Sequence, residues 1–203
     1  MQEQEFSPAE SLLLIRNMIE KTKQGMYDNS GSFLLWGWGA FLACLSQFIL
    51  KAIYNYPYHY RVWLITFVLV ILNFFLIKKR KRAEAATSFI GEAMGNLWMG
   101  IGISFFVLTF IFSKMGWQYA YPIFIMMYGL GTFISGRFLQ FKPLIIGGIV
   151  SWVLAAISVF FEYDYQILFA CGALMVSYII PGHILRTEYY KSKKTQELNK
   201  AIA

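Results

Sequence analysis

The sequence predicts an all-α membrane protein with six transmembrane helices arranged as three helical hairpins, preceded by an N-terminal amphipathic helix. Three observations predict it. First, 58% of the 203 residues are hydrophobic and 14% are charged, against about 45–50% and about 25% in an ordinary soluble domain. That is too little charge to cover a water-facing surface. Second, six stretches contain no Asp, Glu, Lys or Arg: Asn29–Leu50, Val62–Ile77, Ala93–Ser113, Met115–Gly136, Pro143–Phe161 and Tyr165–Leu185. Five have 19 to 22 residues, the length that spans a hydrocarbon core of about 30 Å at about 1.5 Å per residue. The stretch of 16 is flanked by Tyr58, His59, Tyr60 and Arg61, whose amphipathic side chains reach the interface. Lipid-facing backbone must bond to itself, and strict two-residue alternation is missing, so helices rather than a barrel are expected. Third, the basic residues are distributed unevenly about these stretches.

The elements follow in order. Residues 1–31 form an amphipathic helix and linker. Ser7 is the N-cap, Pro8 the first helical residue, and Glu10 completes a capping box. At 100° per residue Leu12, Ile15, Met18, Ile19 and Met26 share one face, which suits the inner membrane interface or a partner's apolar groove. Met1–Glu10 has no basic and apolar leader, so no cleaved secretory signal is expected. Residues 32–186 hold the six spans, at about 33–51, 60–77, 93–113, 117–137, 143–161 and 165–185. Residues 187–203 form a charged tail, expected to be a short, loosely held helix.

Of 18 Lys and Arg residues, 15 fall on one side of this arrangement, leaving Lys51, Arg61 and Lys114 on the other. The positive-inside rule then places both termini in the cytoplasm and the protein in the cell's inner membrane. The run Lys78, Lys79, Arg80, Lys81, Arg82 reads as the orienting end of the second span. The net charge of +7 therefore calls for anionic lipid at the inner face rather than nucleic acid.

Between the spans the outer loops read YNYPYHY, WQYAYP and FEYDYQ. They form an aromatic belt or line an outer vestibule in which Tyr58, His59, Tyr121, Glu162, Asp164 and Tyr165 meet a ligand. Gly91, Gly95, Gly100 and Gly102, and Gly129 and Gly131, are candidate helix-packing positions, within the chain or against a second copy.

No charged residue sits mid-span, which disfavours proton-coupled pumping and a charged selectivity ring. The deepest polar side chains, Gln47, Asn73 and Asn96, are the candidate ligand or pore residues. Catalytic residues, metal ligands and cofactors are expected to be absent: no phosphate-binding loop, HExxH or dinucleotide fingerprint occurs. Ser135 of FISG and His183 are only distantly similar to the Ser/His dyad of rhomboid proteases, since Phe133 stands where that family has glycine.

The run SFLLWGWGAFLACLSQFIL, following ESLLLIRNMIEKTKQG, resembles small multi-helix bacterial membrane proteins of unknown function whose first helix opens with an LLWGW-like motif. The resemblance implies a signalling or stress-related setting and carries over no functional residue. The expected function is that of a non-enzymatic regulatory component that binds lipid or a protein partner through its amphipathic helix. A small-solute component similar to vitamin-importer capture subunits is the alternative, and a lipid-modifying enzyme the third.

Overall fold

The computed structural model of the chain describes residues 12–18, 30–80 and 89–202, all of them helical or in short turns, with no strand among them. Residues 12–18 form a short helix. Seven further α-helices follow: α1 (Ser30–Phe48), α2 (Ile65–Arg80), α3 (Phe89–Met115), α4 (Ala120–Phe138), α5 (Lys142–Ser158), α6 (Tyr163–Leu174) and α7 (Ile180–Ile202). A π turn (Ile49–Ile53) extends α1, a 3₁₀ turn (His59–Leu64) opens α2, and a π turn (Met175–Ile179) joins α6 to α7 without a break.

A helix lies over each of the six apolar stretches. Three are long and apolar enough to cross a membrane: Leu34–Ile53, Glu92–Met115 and Tyr163–Glu188; His59–Asn73 and Lys142–Ser158 are shorter apolar helices. These three spans point to a membrane protein. The charged tail is helical as expected, and it continues the last span without a break as one helix to Ile202.

The ends of the helices follow from local chemistry. Gly116, at φ +98, closes α3 and donates to the Phe112 carbonyl at 2.9 Å, the left-handed cap that favours glycine. At the end of α4 the left-handed residue is Gln140, at φ +50. Its amide bonds Arg137 O at 3.3 Å, and that of Phe141 bonds Gly136 O at 2.9 Å. This 6→1 and 5→2 pair is a Schellman cap. Pro143 in the first turn of α5 then has no amide to leave unpaired. The π turn at Met175–Ile179 has a cause two residues beyond its end. The ring of Pro181 cannot accept an α-helical position against the Ser177 carbonyl, and widening the turn relieves the clash.

The core lies among α1, α4, α5 and α6, where Cys44, Tyr121, Ile125, Ala155, Ile167 and Leu174 are buried together. The tightest pair is α4 with α5, two helices expected to belong to different hairpins. Glycine makes this approach: a Cβ on Gly148 would lie 2.8 Å from Gly129 O, and one on Gly136 2.6 Å from Ile145 N. A second close approach sets Gly147 against the π turn, 2.7 Å from Val176 O. There the Ser151 and Ser177 hydroxyls lie 2.5 Å apart, one donating to the other, and Gly147 O, 2.9 and 3.2 Å from them, accepts the remaining proton.

Helix α2 packs on α1, and α3 on α4; their outward faces carry Phe67, Val70, Ile71, Phe75, Ile103, Phe106 and Phe110, all exposed. Gly95, Gly100 and Gly102 lie on this side of α3, and no atom of the described chain stands within 4 Å of the position of their absent Cβ. Among the described residues, therefore, no other part of the chain packs against these three positions. Gly129 meets Trp152, Gly148 and Ser151, and Gly131 meets Ile101 and Trp98. Gly91 lies in the first turn of α3 and Lys78, Lys79 and Arg80 in the last turn of α2. Ile19, Met26, Lys81 and Arg82 fall outside the described residues.

Candidate functional site

The up-and-down path of the helices brings the turns near residues 54–59, 116–119 and 159–162 to one pole. Just beneath them lies Gln47, near the end of α1 and 1% exposed. Its amide joins four elements. Trp63 Nε1–H, from the 3₁₀ turn, donates to Gln47 Oε1. So does the Tyr121 hydroxyl of α4, at 2.5 Å. Gln47 Nε2 donates in the other direction, to His59 Nδ1 at 3.2 Å and to the Tyr163 hydroxyl at 3.4 Å. Two donors on the oxygen fix which end of the amide is nitrogen, and both of its protons are then used. The rings pack around it, with Tyr121 and Tyr163 centred 5.5 Å apart and His59 6.3 Å from Tyr163. Below this network the Cys44 thiol bonds Ile167 O at 3.3 Å.

A side chain whose oxygen and nitrogen are both saturated acts as a clamp. It ties the first helix to the fourth and sixth at the loop pole and leaves no free valence for a ligand. The same geometry fixes the state of His59. An amide proton directed at Nδ1 requires the lone pair there, so the ring is neutral with its proton on Nε2. Burial lowers the His59 pKa below the ordinary histidine value, and Lys51 adds to that, while Asp164 opposes it.

A pH dependence follows. The unfolded chain takes up a proton near the ordinary value of about 6.5, whereas the folded chain does so only at lower pH. The fold's advantage is complete above that value and is lost as pH falls from it through the lowered one. Thermal midpoints in detergent are expected to drop between pH 7.5 and 5, and His59→Gln to flatten that dependence. An equal drop in the variant would remove His59 as the cause.

The other residues expected to form a site are scattered. Tyr58 and Tyr165 are exposed, and Arg61 lies 4.2 Å over the Tyr58 ring. Glu162 is the N-terminal flanking residue of α6 and is exposed, while Asp164 is half-buried. Asn73 is half-buried with Oδ1 unpartnered, and Asn96 is exposed on α3. Neither asparagine joins Gln47. Sequence reasoning missed Trp63 and Tyr163. Trp63 follows His59 by four residues, a spacing that puts both on one side of a helical turn. Tyr163 sits in the same FEYDYQ run as Tyr165, but two residues along a helix turn the side chain by about 200°, so only one of the pair faces inward.

A second polar cluster sits deeper. Trp98 Nε1–H donates to Ser135 Oγ at 3.1 Å, and Trp98, Tyr128 and Tyr178 pack with centroids 5.3 to 6.0 Å apart. His183 stands edge-on to Trp38 instead, 6.3 Å away, so Ser135 and His183 form no dyad. Among the described residues no three of His, Cys, Asp and Glu come together as a metal site. Compared with family models, curated proteins and solved structures, the chain matches none.

Proposed function

We propose that the chain is a six-span membrane protein with both ends on the cytoplasmic side, a regulatory component that engages lipid or a protein partner through its N-terminal helix. The observation that carries this reading is the apolar character of that helix in the fold. Leu12, Leu13, Leu14 and Ile15 are 68%, 60%, 46% and 51% exposed, and large apolar side chains in that state need a cover other than water. The described residues of the bundle offer none to them, whereas a membrane interface does. The exposed apolar faces of α2 and α3 support the spans. Orientation is supported by Lys78, Lys79, Arg80, Arg137, Lys142 and Arg186, which stand at the pole opposite the tyrosine-rich turns.

The two native cysteines are buried, so introduced cysteines report against a quiet background. In intact cells Tyr58→Cys is expected to react with a membrane-impermeant maleimide, and Tyr190→Cys only after the membrane is opened. The reverse pattern would overturn the orientation. A polarity-sensitive dye on Leu12→Cys, in nanodiscs containing anionic lipid, is expected to emit as in an apolar medium. The emission should revert when Leu13, Leu14 and Ile15 are replaced by Asp. Water-like emission in both would remove the helix as the lipid-binding element.

A further inference from the structure

At the loop pole, beside the Gln47 clamp, a cleft of about 300 Å³ opens to the surface, lined by Gln118, Tyr119, Phe161, Glu162, Tyr163 and Gln166 with Val159. Gln166 is 2% exposed, and its Nε2 donates to Phe161 O at 3.0 Å. That bond fixes the amide with its oxygen directed elsewhere, and Oε1 is buried with no hydrogen-bond partner. The cleft wall carries a carboxylate, Glu162, which no cation among the described residues pairs. Three aromatic rings, Tyr119, Phe161 and Tyr163, complete the lining. The start of α6 would by itself favour an anion, but Glu162 and Asp164 already supply negative charge there.

A carboxylate beside aromatic rings is complementary to one chemistry, an organic cation. We propose that this cleft binds a small organic ammonium group, its charge held by Glu162 and the aromatic rings. The ammonium can belong to a free amine or to the headgroup of a zwitterionic lipid. This assignment goes beyond the regulatory reading and does not require the N-terminal helix to act as proposed.

The test is calorimetric titration of the full chain in detergent with choline and with ethanolamine, using 3,3-dimethylbutan-1-ol as the uncharged counterpart of choline. In parallel, native mass spectrometry counts phosphatidylethanolamine retained from nanodiscs against phosphatidylglycerol. Binding of either free amine but not of the alcohol, weakened about two- to fivefold by Glu162→Gln, would assign a free amine. Retention of phosphatidylethanolamine alone, lost in Glu162→Gln, would assign the headgroup. Glu162 is exposed, so the variant keeps its fold, and Tyr119→Ala, also exposed, serves as a second variant. No binding in either arm, equal binding of the alcohol, or binding untouched by both substitutions would overturn the proposal.

Discussion

Replacing Gln47 with Leu is expected to destabilise the protein by about 3 kcal/mol, read as a thermal midpoint lower by roughly 10 °C in detergent. Leucine fills nearly the same space, so the loss is one of hydrogen bonding. The Trp63 N–H and the Tyr121 hydroxyl lose their common acceptor, and a buried donor without a partner costs more than a typical bond contributes. Gln47→Glu separates the two ends of the amide. It keeps an oxygen for Trp63 and Tyr121 but replaces the group that donates to His59 with one that attracts a proton to it. The pH dependence of the melt should then reverse, with the Glu variant gaining relative stability as His59 becomes charged. A Leu variant that melts with the parent would show that the network stabilises nothing.

Gly148→Val should be at least as damaging, costing about 3 kcal/mol or more. The added Cβ would meet Phe133 Cβ at 2.7 Å and Gly129 O and Phe133 Cα at 2.8 Å. Most of that is backbone of the facing helix, which cannot swing away like a side-chain tip, so α4 and α5 must part along their whole contact. Gly100→Ala on α3 provides the contrast. Nothing lies within 4 Å of the new methyl group, and alanine's better helix propensity should stabilise by about 1 kcal/mol. If a second copy packs on that face in the membrane, the same substitution will lower the oligomer mass seen by light scattering, even as the melting temperature of the monomer rises.

These outcomes depend on features of unequal legibility in the sequence. The helices were legible because long runs without charge and their lengths are one-dimensional properties. The charge asymmetry was also legible, since it needs only a count on either side of each run. Gln47, His59 and Tyr121 could be singled out as polar or aromatic residues near a span's end, and the fold does bring these three together. Their role differs from the expectation of a ligand site, because whether an amide has free valences depends on partners 12 to 116 residues away. Asn73 shows the converse, looking equivalent to Gln47 in the sequence while standing on a helix packed mainly against α1 and the 3₁₀ turn. Pairing was the least legible property. A Gly-rich helix face says that a close neighbour is tolerated, not which one, so Gly129 and Gly131 pack within the chain while Gly95, Gly100 and Gly102 meet no other described residue within 4 Å. The unpaired Gln166 Oε1 was invisible, since it arises from the bond its nitrogen makes to Phe161.

The wide turn at Met175–Ile179 also bears on how this chain tolerates changes in length. A residue removed from an ordinary helix rotates everything after it by about 100° and would turn buried faces outward. Here the five residues already hold one more than an α-helical turn would. A deletion among them converts the wide turn to a regular one and leaves Ile167 before it and Leu185 after it, both essentially buried, in the same angular phase. Between Tyr163 and Ile202 this stretch is therefore the point at which the chain can lose a residue and keep its two halves in register, with Pro181 and the Ser177 contact to Gly147 bearing the local cost.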